Sequence, residues 1–121
     1  MPDALQIDRV NIGDGYPIEL YRILHAGINV ATAADHTIVA ASIGRKIRVT
    51  AIKFSVAGDV TVTWKSNATA LGGAETFKEG GGMCDNWGPH GDFFETVAGE
   101  ALKFAPSGAV QVSGWINYIL V

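Results

Sequence analysis

The sequence is poor in the residues that build most chemical sites. Cys84 is its only cysteine, so no disulfide can form within the chain and a secreted, stapled fold is not expected. Its three histidines, His25, His36 and His90, lie far apart along the chain. Charge is scarce as well: 17% of the residues are Asp, Glu, Lys or Arg, against about a quarter in an average soluble domain. A net charge of −3 supplies no concentrated basic field for phosphates, which argues against nucleic acid as a partner. No apolar run approaches the roughly 20 residues that span a bilayer as a helix. The opening residues Met1-Pro2-Asp3-Ala4 show neither the basic start nor the apolar run of a secretory signal. The expectation is a protein made in a cytoplasm and carried to any later location by assembly, without a membrane partner.

What is present is apolar and strand-like. Of 121 residues, 48% are hydrophobic, enough for one domain with a core of its own. Residues 1–17 carry Pro2, Gly13, Gly15 and Pro17 as punctuation and read as an irregular N-terminal arm. Leu5, Ile7, Val10 and Ile12 make that arm apolar, as expected of a segment that docks on a neighbour. Residues 18–121 read as a folded domain. Ile18 to Ala33 is open to a helical reading, but its Ile, Tyr and Val content and Gly27 favour strands. In "KIRVTAIKFSVA", Ile47 and Val49 share one phase and Ile52, Phe54 and Val56 the other. A β-bulge near Ala51 would turn both sets toward one core. Gly58-Asp59 then reads as the turn of a hairpin, with Val60, Val62 and Trp64 on its dry side.

Asn67 to Asn86 reads as a long glycine-rich loop around a short strand at Glu75 to Lys78. "FFETVAGEALKF", Phe93 to Phe104, reads as a second hairpin, with Gly99 in its turn. The run "AVQVSGWINYILV" alternates Val110, Val112, Ile116, Tyr118 and Leu120 on one side, with Gly114 marking a bulge or a close backbone approach. Short strands between glycine-rich turns predict an all-β chain, an antiparallel β-sandwich of jelly-roll type.

The search for chemistry is mostly negative. Cys84, Asp85, His90 and Asp92 form the best metal-ligand set, but structural zinc sites come as two tight pairs, and one mixed loop does not meet that pattern. No metal or cofactor is expected. Cys84 near His90 lacks a third, orienting group, and the simpler expectation is a small buried apolar residue. Glu95 and Glu100 flank a turn and read as solvated carboxylates. Gly80 to Gly82 precedes neither a Lys-Ser/Thr pair nor a helix, so it is not a phosphate loop. The chain is not read as an enzyme.

Two features point to binding. Basic residues gather in Arg45, Lys46, Arg48, Lys53 and Lys65, and acidic ones in Glu75, Glu79, Asp85, Asp92, Glu95 and Glu100. They form either two solvated faces or two surfaces that meet head to tail between subunits. Trp64 is in phase with Val60 and Val62 and is expected in the core. Trp87 and Trp115 are candidates for partial exposure, favouring a protein interface over sugar stacking.

From Ile43 to Val121 the sequence resembles small jelly-roll phage virion proteins, the decoration or cement proteins that coat capsids. The resemblance rests on Lys46 to Arg48, Val60 to Lys65, Gly80 to Gly82, Phe94 to Thr96 with Gly99 to Leu102, and Gly114 with Tyr118. It covers about two-thirds of the chain, and residues 1 to about 35 fall outside it. It implies a protein of the virion surface, made in the host cytoplasm, whose partners are the major capsid protein and further copies of itself in a dimer or trimer. Leu5, Ile7, Val10, Ile12 and Trp87 are the residues expected to touch those partners. A tail or neck component and a carbohydrate-binding jelly-roll module are the alternative readings.

Overall fold

The computed structural model describes residues 7–12, 16–86 and 94–121, those of 7–12 and 16–21 as backbone only. Twelve strands and no helix occupy the described residues. They are β1 (Ile7–Ile12), β2 (Tyr16–Tyr21), β3 (Leu24–Val30), β4 (His36–Val39), β5 (Ile47–Val56), β6 (Val60–Ser66), β7 (Thr69–Ala70), β8 (Glu75–Phe77), β9 (Gly82–Asn86), β10 (Phe94–Glu95), β11 (Leu102–Pro106) and β12 (Val112–Leu120). One sheet runs β5–β12–β3, with β9 and β10 sharing the free edge of β5. The other runs β4–β11–β6, with β7 and β8 sharing the free edge of β6. Every pairing is antiparallel. The two sheets pack as a β-sandwich.

Alternation decides which residues enter the space between them. β6 and β11 bury every second residue, Val60, Val62, Trp64 and Ser66 on one and Leu102, Phe104 and Pro106 on the other. The β5 sheet supplies Ile28, Ile47, Val49, Ile52, Phe54, Val56, Val112 and Ile116. Aromatic rings knit the layers together: Phe104 stands edge-on to Trp64 at 4.7 Å and to Phe54 at 5.7 Å, and Phe54 meets Phe77 at 5.1 Å. Each such buried ring adds roughly 1.5–3 kcal/mol from burial alone.

The change of phase in β5 is a bulge, as expected. Asn117 of β12 pairs with Ala51 and Tyr118 with Val49, so Thr50 is the extra residue. Its hydroxyl donates to the Asn117 carbonyl at 3.3 Å, and Ile47 and Val49 share the core with Ile52 and Phe54. Gly114 marks a close approach: a Cβ there would collide with the Lys53 carbonyl and Phe54.

Both expected hairpins are overturned. β5 and β6 lie in different sheets, as do β10 and β11. The turns at Gly58-Asp59 and Val97–Glu100 are therefore corners that carry the chain across the core. A turn signal records reversal of the chain, and a strand whose neighbour positions are already filled by distant segments cannot pair with the strand next to it in sequence. The expected irregular arm is corrected at Ile7–Ile12, which pairs with Tyr16–Tyr21 in the register Ile7↔Tyr21 to Ile12↔Tyr16. The boundary expected at residue 17 thus falls inside β2. The long loop holds the expected strand near Glu75, and also β9, which glycine-rich composition hides.

Candidate functional site

One corner region explains the conspicuous segment around Phe94 to Leu102. β10 ends where Thr96 exchanges two hydrogen bonds with Ile47, amide to carbonyl at 3.0 Å and hydroxyl from amide at 2.9 Å. Ser66, at the end of β6, accepts from the Val97 amide at 3.0 Å and donates to Glu100 at 2.6 Å. Asn67, at φ 50°, exchanges two more hydrogen bonds with Ala101. Ser66 and Thr96 are almost fully buried, so this polar stitching satisfies groups that would otherwise be costly to enclose. Glu100 is a structural acceptor here, which corrects the expectation of a freely solvated carboxylate.

The stitching brings two loops to one end of the sandwich. The Gly99 amide donates to the Arg45 carbonyl at 2.8 Å, placing the β4–β5 connection beside the β10–β11 corner. The tips of these loops carry Ile43, 98% exposed, and Val97, 58% exposed. Arg45 and Lys46 are exposed beside them. Glu79 lies at the other end of β5, where its amide donates to Asp59 at 2.9 Å. The first cause of the lowered Asp59 pKa is that amide, followed by the Lys78 ammonium. The basic and acidic stretches are thus only partly separated in space, because Arg48 reaches Glu95 at 3.2 Å across the β5–β10 pair.

A second region is the outer face of the β5 sheet. Register sets Cys84, Lys53, Trp115 and Gly27 in one row across four strands, and Gly82, Ser55, Ser113 and Asn29 in the next. Trp115 is half-buried and packs against His25 at 5.5 Å, while His25 Nδ1 lies 3.1 Å from Asn117 Oδ1. Gln111 Nε2 donates to Asn29 Oδ1 at 2.8 Å and to Ser113 Oγ at 3.0 Å. A recess of about 280 Å³ lies between Trp115, Ser113, Gly114, Lys53 and Ser55. A further one of about 210 Å³ continues it past Ser55 to Gly82 and Cys84.

A third space, of about 210 Å³, opens between the sheet edges and is lined by Phe54, Trp64, Leu71, Phe77, Met83 and Phe94.

Measured against these regions, the expected site residues divide sharply. Leu5 and Trp87 lie outside the described residues, as do His90 and Asp92 of the metal-ligand set. Ile7, Val10 and Ile12 are placed only as backbone in β1. Cys84 is exposed on β9, which corrects the expectation of a buried apolar thiol. Cys84 and Asp85 follow one another on β9 and so point to opposite faces. Among the described residues no three His, Cys, Asp or Glu gather into a metal-ligand group. Trp64 is in the core, as expected. His36 is tied to Thr32, its Nε2 lying 2.9 Å from the carbonyl oxygen.

Ile43, Val97 and His25 were not among the expected binding residues, and Lys53 entered only as a member of the basic stretch. Alternation along β12 marks Ser113, Trp115 and Asn117 as outward-facing, but only cross-strand register brings His25 and Lys53 to them. No known protein-family model matches this chain, and a search of curated proteins finds no relative.

Proposed function

We propose that this protein is a virion structural protein that decorates an assembled phage head and joins neighbouring shell subunits. The observation that carries the reading is the tip formed by Ile43 and Val97 with Arg45 and Lys46. Large apolar side chains on adjoining loop ends, rimmed by charge, are the usual make-up of a surface that another protein covers. The sequence resemblance described above supplies the kind of partner. Ion pairing leaves Arg45 and Lys46 without an acidic partner among the described residues. They are suited to acidic groups on the shell or at the Glu79 end of another copy. Joined in a dimer or trimer, several tips engage one shell together, which makes a small tip sufficient for firm attachment. The major capsid protein and further copies of this chain, in a dimer or trimer, are the partners on this reading.

The test is co-sedimentation with shells assembled from the phage's own major capsid protein. The intact chain is expected to saturate them, and the exposed double variant Ile43→Glu with Val97→Glu is expected to stay in the supernatant with an unchanged thermal midpoint. A double variant that saturates shells like the parent would remove the tip from the reading. An intact chain that never sediments with shells would end the reading itself. Removal of residues 1–15, which takes away β1 together with Leu5, Ile7, Val10 and Ile12, is expected to leave the sandwich folded and to weaken attachment.

A further inference from the structure

We propose that the outer face of the β5 sheet is a binding site for a neutral oligosaccharide, with the Trp115 indole as its stacking platform. The site lies on strand faces, away from the Ile43 and Val97 tip, and it does not depend on the shell-binding reading.

Three observations converge on it. First, the indole is available. Across β12 its neighbour on β3 is Gly27, which has no side chain and has nothing within 4 Å of the place a Cβ would occupy. His25 supports the ring from the next position along β3, and is itself fixed by Asn117. A half-buried indole braced by His25 and open on its Gly27 side is a rigid platform. Second, apart from Lys53 the groups around it are neutral, and several are already ordered. Gln111 holds Asn29 and Ser113 in place through hydrogen bonds of 2.8 and 3.0 Å, and Ser55 is exposed in the same row as Ser113. Fixed amides and hydroxyls beside an aromatic face match a pyranose, which has an apolar C–H face and a rim of hydroxyls. Holding them in place beforehand lowers the ordering cost of binding. Third, the surface is concave where most sheet faces are flat. The recess at Trp115 continues over Ser55 to Gly82, running across β12, β5 and β9. Small residues make this floor: Gly82, Ser55 and Ser113 stand side by side.

Charge selects among ligand classes. Lys53 is the cation lining both recesses, too little for a phosphate chain, which is bound by several basic groups together. A neutral sugar needs no more.

The experiment presents the full chain to an immobilised array of neutral and acidic glycans. It then titrates maltohexaose, cellohexaose and N-acetylchitohexaose by calorimetry, with chemical shifts of the indole N–H signals as a second readout. Saturable binding of a neutral glycan is expected, with the Trp115 indole signal shifting. Affinity is expected to fall at least tenfold in Trp115→Ala. Should that variant fail to fold, Gly27→Val serves instead: it adds a side chain beside the indole at an open position and is expected to reduce affinity by a similar factor. The proposal is overturned if no neutral glycan binds, if binding leaves the Trp115 signal unmoved, or if a folded Trp115 or Gly27 variant binds as the parent does. Binding confined to acidic glycans and abolished by Lys53→Ala would also overturn it, by making the site an anion site.

Discussion

The Ser66 hydroxyl donates to a Glu100 carboxylate oxygen at 2.6 Å, joining the end of β6 to the corner that leads from one sheet into the other. Ser66 Oγ also accepts the Val97 amide at 3.0 Å. One buried atom therefore serves as donor and acceptor for two separate points of the turn. Ser66→Ala strips both partners at once, leaving an amide and a carboxylate partly enclosed. A loss of about 2 kcal/mol is expected, the usual consequence of orphaning such groups. Denaturant melts of the parent and the variant measure it, and a change below about 0.5 kcal/mol, the range of ordinary surface substitutions, would contradict the assigned role.

Gly114 and Gly82 lie on either side of β5 and both press on Phe54, Gly114 also on the Lys53 carbonyl and Gly82 also on Ser55. Gly114 is in β12, held between β5 and β3, and cannot retreat. Gly82 begins β9, an edge strand. Gly114→Ala is expected to cost more than about 3 kcal/mol, as overpacking against fixed backbone does. Gly82→Ala is expected to loosen β9 with less global effect. Amide exchange separates the two: faster exchange confined to 83–86 for Gly82→Ala, and throughout the sandwich for Gly114→Ala.

Phe104 has no exposed surface and touches rings from both sheets. Phe104→Ala is expected to lower stability by about 3–5 kcal/mol through lost burial and the cavity left behind. Because Trp64 lies against it, the tryptophan emission should also move to longer wavelength as water enters.

The acid limb of stability should contain a contribution from Asp59. The Glu79 amide, and after it the Lys78 ammonium, hold the Asp59 carboxyl below its ordinary value of 3.8. The folded protein thus binds this proton less tightly than the unfolded chain. The stabilisation is complete above about 3.8 and is lost as pH falls through the lower folded value. Asp59→Asn should flatten that part of the pH profile. A carboxyl carbon titration of Asp59 centred at or above 3.8 would contradict the clasp.

At the alkaline end the sign reverses. Burial raises the Tyr118 phenol above its ordinary 10.0. The unfolded chain therefore ionises first, and stability is lost as pH rises beyond about 10. Tyr118→Phe should remove that loss. Absorbance titration, compared with the parent, gives the phenol's own midpoint.

Much of the sandwich was legible because burial leaves a period of two. The phase change between Val49 and Ile52 announced a bulge, Trp64 was placed in the core by Val60 and Val62, and Gly114 marked a bulge or a close backbone approach, of which the second holds. Pairing was not legible. Gly58-Asp59 and Val97–Glu100 have good turn chemistry, and nothing in them distinguishes a hairpin from a corner. That depends on which strand already occupies the neighbouring position, and here β12, β9 and β11 do. The binding surfaces follow the same division. The outward phase of Trp115 could be read from β12 alone, whereas His25 and Lys53 reach it only through register. Ile43 and Val97 gave no periodic signal, since each stands in a connection and is exposed by loop geometry.

The position of β12 has a consequence for how this molecule is made. Residues 112–120 form an inner strand of their sheet, with β3 on one flank and β5 on the other. A nascent chain halted before Val112 holds two strands with an open slot between them, and both present bare amides and carbonyls to whatever drifts past. Closure must wait for the segment made last among these three. Chains interrupted there should be sticky and short-lived, and a cell producing many copies would retain chiefly those that reached Leu120.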